Sequence, residues 1–228
     1  MAVVEICAYS ASDAIAAAAA GADRIELCRA PESDGLTPTR TALEQARAIS
    51  VPVHPIVRPR PSFVATGVDE THLCESLAHV RDLGYPGAVV GVLDTTGSEP
   101  DWPLLERIAG AAGDLALTFH RAFDHVADQD GALAGLAELG FARVLTSGRP
   151  GRAIDHLELL AELAESGRRR GVTVMAAGSI RSEHVPQMIA SGITEVHASA
   201  GGSEGSMAID EVSALVASAH SGDCSARD

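Results

Sequence analysis

The sequence contains no lysine, and each of its 17 basic residues is an arginine. Lysine is the residue that forms Schiff bases with carbonyl substrates and that contacts phosphates in P-loops. Its absence therefore excludes lysine-dependent aldolase chemistry and P-loop nucleotide binding. The first predicted strand is also not followed by the glycine-rich phosphate turn of a doubly wound dinucleotide-binding fold, because Ala8-Tyr9-Ser10 stands there.

Basic charge is scarce as well, because the 17 arginines are outnumbered by 31 acidic residues and the formal net charge is -14. Binding to phosphate backbones requires a basic surface, so we expect neither a nucleic acid nor an anionic membrane as a partner. No apolar run is long enough for a membrane span, and no basic, apolar leader precedes Glu5. These absences predict a cytoplasmic protein.

Cysteine occurs at four positions, Cys7, Cys28, Cys74 and Cys224. Their spacing matches no zinc-finger pattern, and in the cytoplasm they are expected to be reduced thiols. The 228 residues, 46% of them hydrophobic, can bury one substantial core. The sequence therefore predicts one domain over residues 1–220 and a short polar tail over 221–228.

A glycine that ends a helix shortly before a strand recurs along the sequence and predicts the fold. Four helical segments end in a glycine that is followed within a few residues by a strand, at Gly21, Gly84, Gly140 and Gly192, as expected for left-handed helix caps. Four further apolar runs lie between them, over residues 3–8, 51–59, 115–122 and 172–178. Eight strands that alternate with helices favour a single-domain (β/α)8 TIM-type barrel over an open doubly wound sheet.

The phase of the glycine-led strands predicts which side chains lie inside the barrel. The residue four positions after each glycine is always apolar and should face the helices, so positions five and seven should face the barrel axis. The predicted inward residues are Glu26, Val89, Leu145 and His197 in one layer, and Cys28, Gly91, Ser147 and Ser199 nearer the mouth.

Polar residues of the other strands should converge on the same interior. Carboxylates and imidazoles in such a pocket are suited to general acid and base catalysis. The pocket candidates are Glu5, Glu26, His54, Arg58, His120, Arg121, Asp124 and His197. The alternative is a structural ion-pair network in which Arg58 or Arg121 holds the two glutamates.

Two further features predict ligand sites. Cys7 and Cys28 are expected at matching positions of adjacent strands, where two thiolates could hold Cu(I), although each could equally be a small buried hydrophobe. The strand ends that carry Gly178, Ser179 and Gly201 could present backbone amides to an anion, although such loops can also be plain tight turns.

Several blocks of the sequence resemble the CutC family of copper homeostasis proteins. They are Glu5-Ile6-Cys7, residues 21–28, 35–38, 52–60, 91–94, 118–124, 143–148 and 195–199. The resemblance implies a cytoplasmic TIM-type barrel with a role in copper handling and with Cu(I) bound by Cys7 and Cys28. The chain departs from the family pattern after Arg60, where Pro61-Ser62-Phe63 replaces a Gly-Gly-Asp-Phe type of loop.

Two hypotheses of function follow. The first is a copper-binding protein that captures Cu(I) with its two strand cysteines. The second is an enzyme that acts on a small polar metabolite, phosphorylated or sugar-like, in the pocket at the barrel mouth. A third possibility is a scaffold that acts through its surface as a homodimer or larger homo-oligomer, but no stripe or tail of the sequence marks an interface.

Overall fold

The computed structural model describes residues 1–201 and 207–221. Gly202, Cys224 and nearly all of the predicted tail lie outside the described residues. The elements alternate as the sequence predicts. The strands are β1 (Val3–Ala8), β2 (Arg24–Leu27), β3 (Val53–Pro55), β4 (Gly87–Val90), β5 (Ala116–Phe119), β6 (Arg143–Thr146), β7 (Thr173–Ala176) and β8 (Glu195–Ala198).

The helices cover the outside of the sheet. They are α1 (Ala11–Ala19), α2 (Arg40–Ala46), α3 (Gly67–Asp82), α4 (Trp102–Ala112), α5 (Gln129–Glu138), α6 (Leu157–Arg170), α7 (Val185–Ala190) and α8 (Ile209–His220). The apolar run over residues 3–8 coincides with β1, whereas the other three runs are longer than β3, β5 and β7 because they continue into the adjoining loops.

The eight parallel strands close into a barrel. Consecutive strands pair from β4 through β8, β8 pairs with β1, and β1 to β3 complete the order. The gap between β3 and β4 is bridged by the parallel pair Ile56 and Val89, and the Val57 amide donates to the Val89 carbonyl at 2.7 Å. The predicted (β/α)8 TIM barrel is therefore confirmed.

Local sequence signals set the element boundaries. Ser10 caps α1, and its hydroxyl accepts a hydrogen bond from the Asp13 amide at 3.0 Å. Gly21 and Gly84 follow α1 and α3 with φ of 98° and 81°, a conformation that favours glycine because it has no Cβ. These turns return the chain to the sheet at the start of each strand.

The main core lies between the sheet and the helices. The four apolar residues used to set the strand phase, Ile25, Ala88, Val144 and Val196, are fully buried on this side. Alternate residues of the same strands consequently point to the barrel axis. The polar interior of the barrel thus follows directly from the burial of the other face.

Candidate functional site

A cavity of about 260 Å³ opens at the carboxyl ends of the strands, where TIM barrels carry their sites. Predicted site residues that line it are Cys7, Glu26, Arg58, His120, Arg121, Asp124, His197, Gly178 and Ser179. Four other candidates, Glu5, His54, Cys28 and Gly201, are not part of its wall. Tyr9, Asp34 and Phe63 line it too, and the sequence patterns had not indicated them because all three come from loops.

An ion-pair cluster fills the barrel below this cavity. The Arg24 guanidinium pairs with both Glu5 and Glu195, and Arg143 Nε lies 3.1 Å from a Glu195 oxygen. A structural ion-pair network, the alternative to a ligand site, is therefore present around Glu5, but Arg24 holds this residue rather than Arg58 or Arg121. Arg24, Arg143 and Glu195 lie three positions after their glycines, and the same strand phase would have pointed them inward as well.

His197 connects the cluster to the cavity. Its Nδ1 lies 2.8 Å from Glu5 Oε1, and its Nε2 lies 3.8 Å from Glu26 Oε2. Burial alone would lower the pKa of His197, but contacts with the Cys7 thiol and Glu5 and the charges of both glutamates raise it well above the usual value. His197 is thus held as a cation between two buried carboxyl groups.

The two glutamates beside His197 have opposite pKa shifts. Burial would raise the pKa of Glu5, but hydrogen bonds and charges from His197 and Arg24 lower it strongly. Glu26 has no arginine ion pair among the described residues, and burial together with the Glu5 charge raises its pKa despite the opposing effect of His197. Glu26 is therefore the carboxyl group of this pair that holds a proton more readily.

The two strand cysteines meet beside Glu26. Strand pairing places Cys7 opposite Glu26, with Cys28 two residues farther along the chain, just after the end of β2, so the expected matching positions are wrong. The sulfurs nevertheless lie 3.1 Å apart, because both side chains point to the axis of a staggered barrel. The two Sγ atoms and a Glu26 oxygen all lie within 4.8 Å of one another.

Both thiols are held in the protonated form. The hydrogen bond with Cys28, together with burial, raises the pKa of Cys7 well above its usual value. The same contact would lower the pKa of Cys28, but burial and the Glu26 charge outweigh it and raise that pKa. A bound metal ion would therefore have to displace protons from this pair.

His120 and His54 are buried neutral imidazoles. Burial and the Arg58 charge lower the pKa of His120 to about 3, and burial lowers the pKa of His54 to about 4. Gly91 makes room for the His120 ring, because a Cβ at that position would lie 2.7 Å from His120 Nδ1. Only His120 of these two reaches the cavity.

Asp124 is fully engaged in structural contacts. Its carboxylate accepts hydrogen bonds from Thr146 Oγ1 at 2.6 Å and from the Ser147 amide and hydroxyl at 2.9 and 2.7 Å. It also pairs with Arg121 at 2.9 Å, and Arg121 in turn donates to Ser147 Oγ. These contacts make Asp124 a positioning group for Arg121 rather than a free acid or base.

The predicted anion loops contribute unequally. Gly178 and Ser179 line the cavity with φ of 105° and 55°, whereas Gly201 is exposed and pairs with Met207 away from it. The loop with Gly178 and Ser179 is followed by a 3-10 turn and the six-residue helix α7. It therefore lacks the amino terminus of a long helix that would attract an anion. Anion binding by Gly178, Ser179 and Gly201 remains a prediction.

The neutral state of His120 predicts a pH effect on stability. A buried histidine whose pKa is about 3 instead of 6.5 binds protons less readily than in the unfolded chain, so stability is lost as the pH falls from about 6.5 toward 3. Between pH 7 and 5 this group should cost about 2 kcal/mol of unfolding free energy. Urea unfolding should show a correspondingly smaller loss for His120→Phe.

The matched control is His72→Phe, because His72 is an exposed residue of α3. This variant should lose stability between pH 7 and 5 as steeply as the wild type. Parallel pH profiles for wild type and His120→Phe would contradict the assignment of a buried neutral imidazole.

The closed barrel and the polar cavity at its carboxyl rim define a TIM-barrel protein with a thiol and carboxylate site. No helix in residues 1–201 and 207–221 combines the length and apolar character that a membrane crossing requires. A family model described as the CutC family matches residues 2–202, and the chain belongs to that family.

One solved structure supports this assignment, and two others share the fold. A CutC protein from Streptococcus agalactiae with a presumed role in copper homeostasis matches with a TM-score of 0.82 and 25% sequence identity, over 87% of this chain and 99% of that one. Phosphoribosylanthranilate isomerase from Thermus thermophilus matches with a TM-score of 0.61 and 18% identity, over 96% and 98% of the chains. A thiamine phosphate pyrophosphorylase from Pyrococcus furiosus gives 0.63 and 15% identity, over 96% of each. The last two similarities concern the fold alone.

Proposed function

We propose that the protein binds Cu(I) through Cys7 and Cys28 and takes part in copper homeostasis. The observation that carries the proposal is the 3.1 Å separation of the two sulfurs beside the Glu26 carboxylate. Thiolates are soft ligands that select Cu(I) over harder cations. Membership of the CutC family and the similarity to the Streptococcus agalactiae protein support the same function.

The pair requires a small rearrangement to hold the ion. Metal–thiolate bonds are roughly 2.3 Å long, so linear coordination holds two sulfurs about 4.6 Å apart. The sulfurs must therefore separate by more than 1 Å relative to their 3.1 Å contact. Glu26 lines the same cavity as Cys7, and its carboxylate can take up a proton that the thiols release, whereas His197 already carries its proton.

Anaerobic Cu(I) titration against a chromogenic chelator tests this proposal. Wild type should retain one Cu(I) per chain, and the double variant Cys7→Ser, Cys28→Ser should lose it, because a hydroxyl is a poor ligand for a soft ion. The matched control is Cys74→Ser, since Cys74 lies on α3 outside the cavity wall. Equal copper retention in wild type and the double variant would end the thiolate proposal.

A second candidate function is an enzyme that acts on a small polar metabolite. It is supported by the cavity itself, which places Glu26 and His197, two groups with raised pKa, in one wall. Such groups can transfer protons to and from a substrate. Thermal-shift screening of metabolites should give a hit that His120→Ala abolishes, whereas a complete blank would contradict an enzyme of this type.

A further inference from the structure

Two buried hydrogen-bond donors in the cavity wall have no protein partner. His120 is 3% exposed and Arg58 is 7% exposed, and both line the cavity. Within the described part of the chain, neither His120 Nε2 nor Arg58 Nε makes a hydrogen bond. Buried polar groups are almost always paired, so this pair of unused donors needs an explanation.

The hydrogen-bond role of His120 Nε2 is fixed by the other ring nitrogen. His120 Nδ1 accepts a hydrogen bond from the Ala122 amide at 3.2 Å, so the proton of the neutral ring is carried by Nε2. The low pKa of about 3 keeps the ring neutral. His120 therefore presents an N–H donor, and an oxygen atom of a ligand is the group that would satisfy it.

Arg58 adds a positive charge that no carboxylate of the described residues contacts directly, and the charges of Asp34 and Glu26 act on it only at longer range. Its Nη1 donates to the carbonyls of Ser33 and Gly35 at 2.7 and 3.0 Å, which fixes the guanidinium in place. In residues 1–201 and 207–221, no carboxylate oxygen lies within 4.0 Å of a guanidinium nitrogen of Arg58. Buried charges are normally paired, so an anion is the group this position lacks.

The two donors belong to one side of the cavity. The Arg58 guanidinium carbon lies 4.8 Å from the Phe63 ring centroid, and the Phe63 and His120 ring centroids are 5.2 Å apart. Phe63 stands in the Pro61-Ser62-Phe63 loop that departs from the family pattern. Its ring lies against both side chains and so provides an apolar surface beside a cation and a neutral N–H donor.

From this geometry we infer that Arg58 and His120 form a subsite for the oxyanion of a small molecule, either a carboxylate or a phosphate monoester. The inference rests on the second candidate function and names its class of ligand. Glu26 and Asp34 also line the cavity, and their carboxyl groups disfavour a second anionic group. A cavity of about 260 Å³ accommodates a compact metabolite with one anionic end and neutral polar groups elsewhere.

Nitrogen-15 NMR titration of the full chain tests the subsite, with inorganic phosphate and glycolate as probes and chloride at equal ionic strength as the reference. The Arg58 Nε–H and His120 Nε2–H resonances should shift saturably with at least one probe. His120→Phe and Arg58→Gln should each weaken binding at least about tenfold, because a hydrogen bond to a charged group contributes about 1.5–3 kcal/mol. Arg58→Lys, which keeps the charge but loses the Nε–H, should also bind more weakly.

The matched controls are His72→Phe on α3 and Arg107→Gln on α4, which make the same chemical changes outside the cavity. Both should bind like wild type. Saturation by phosphate alone assigns the phosphate monoester class, and saturation by glycolate alone assigns the carboxylate class. Absence of binding by either probe, or wild-type binding by well-folded His120→Phe and Arg58→Gln, would overturn the subsite.

Two further variants separate this inference from the proposed functions. Cys7→Ser, Cys28→Ser should lose Cu(I) and keep anion binding, because the thiols contribute no donor to the subsite. Glu26→Gln should lose any proton-transfer turnover and keep anion binding. Loss of the anion from either variant with intact spectra would contradict a subsite built from Arg58 and His120.

Discussion

Replacing Arg24 by methionine should lower the free energy of unfolding by about 3–5 kcal/mol, because removing one partner leaves buried charges without compensation. Arg24 is the cation between Glu5, whose side chain is fully buried, and Glu195. Methionine keeps much of the length of the arginine side chain, so the cost is chiefly electrostatic. Urea unfolding at neutral pH measures the effect directly.

The matched control is Arg168→Met, which breaks a pair between exposed side chains on α6. Exposed pairs contribute only about 0–1 kcal/mol, so this variant should stay close to wild type. The Arg24 variant should also recover stability as the pH is lowered and the two carboxyl groups become protonated. A loss no larger than that of Arg168→Met would show that the cluster is hydrated rather than buried.

Replacing Phe119 by alanine should cost about 3–5 kcal/mol, the usual range for a fully buried aromatic residue. Phe119 lies in contact with two other buried rings, at centroid distances of 6.4 Å to Phe123 and 6.1 Å to Phe141. The chain has only seven aromatic residues, so few neighbours can fill the space that the ring leaves. Chemical denaturation gives the unfolding free energy.

Phe63→Ala provides the comparison, because Phe63 is only partly buried at the barrel mouth. It should cost much less stability than Phe119→Ala and should instead weaken anion binding, since its ring lies against Arg58 and His120. Equal losses of stability in the two variants would contradict the distinction between the core and the rim.

The sequence was sufficient to predict the barrel. The glycines that end the helices, and the apolar residue four positions after each glycine, are local signals that can be read without the structure. The same phase correctly placed Glu26 and His197 in the cavity wall. The prediction did not extend to the residues two positions earlier in each strand, where Arg24 and Glu195 continue the same alternation toward the barrel axis. That omission led to the wrong partner for Glu5.

Other parts of the site depend on information that no single strand contains. The stagger between β1 and β2 decides that Cys7 lies opposite Glu26, and stagger is a property of the closed barrel. Tyr9 and Phe63 enter the cavity from loops, which have no periodicity to reveal their direction. Likewise, the hydrogen bonds of Asp124 with Thr146 and Ser147 become visible only when the segment after β5 meets the end of β6.

Among the described residues, the buried ion pairs of Arg24, Glu5, Glu195 and Arg143 occupy the barrel interior below the cavity, which opens at the carboxyl ends of the strands. A solute that reaches Cys7 from the rim has no passage onward along the axis, because the arginine and glutamate side chains occupy it. Entry and departure therefore share one route. On the proposed function, a protein that delivers Cu(I) to this chain, or removes it, would therefore have to approach the carboxyl ends of the strands.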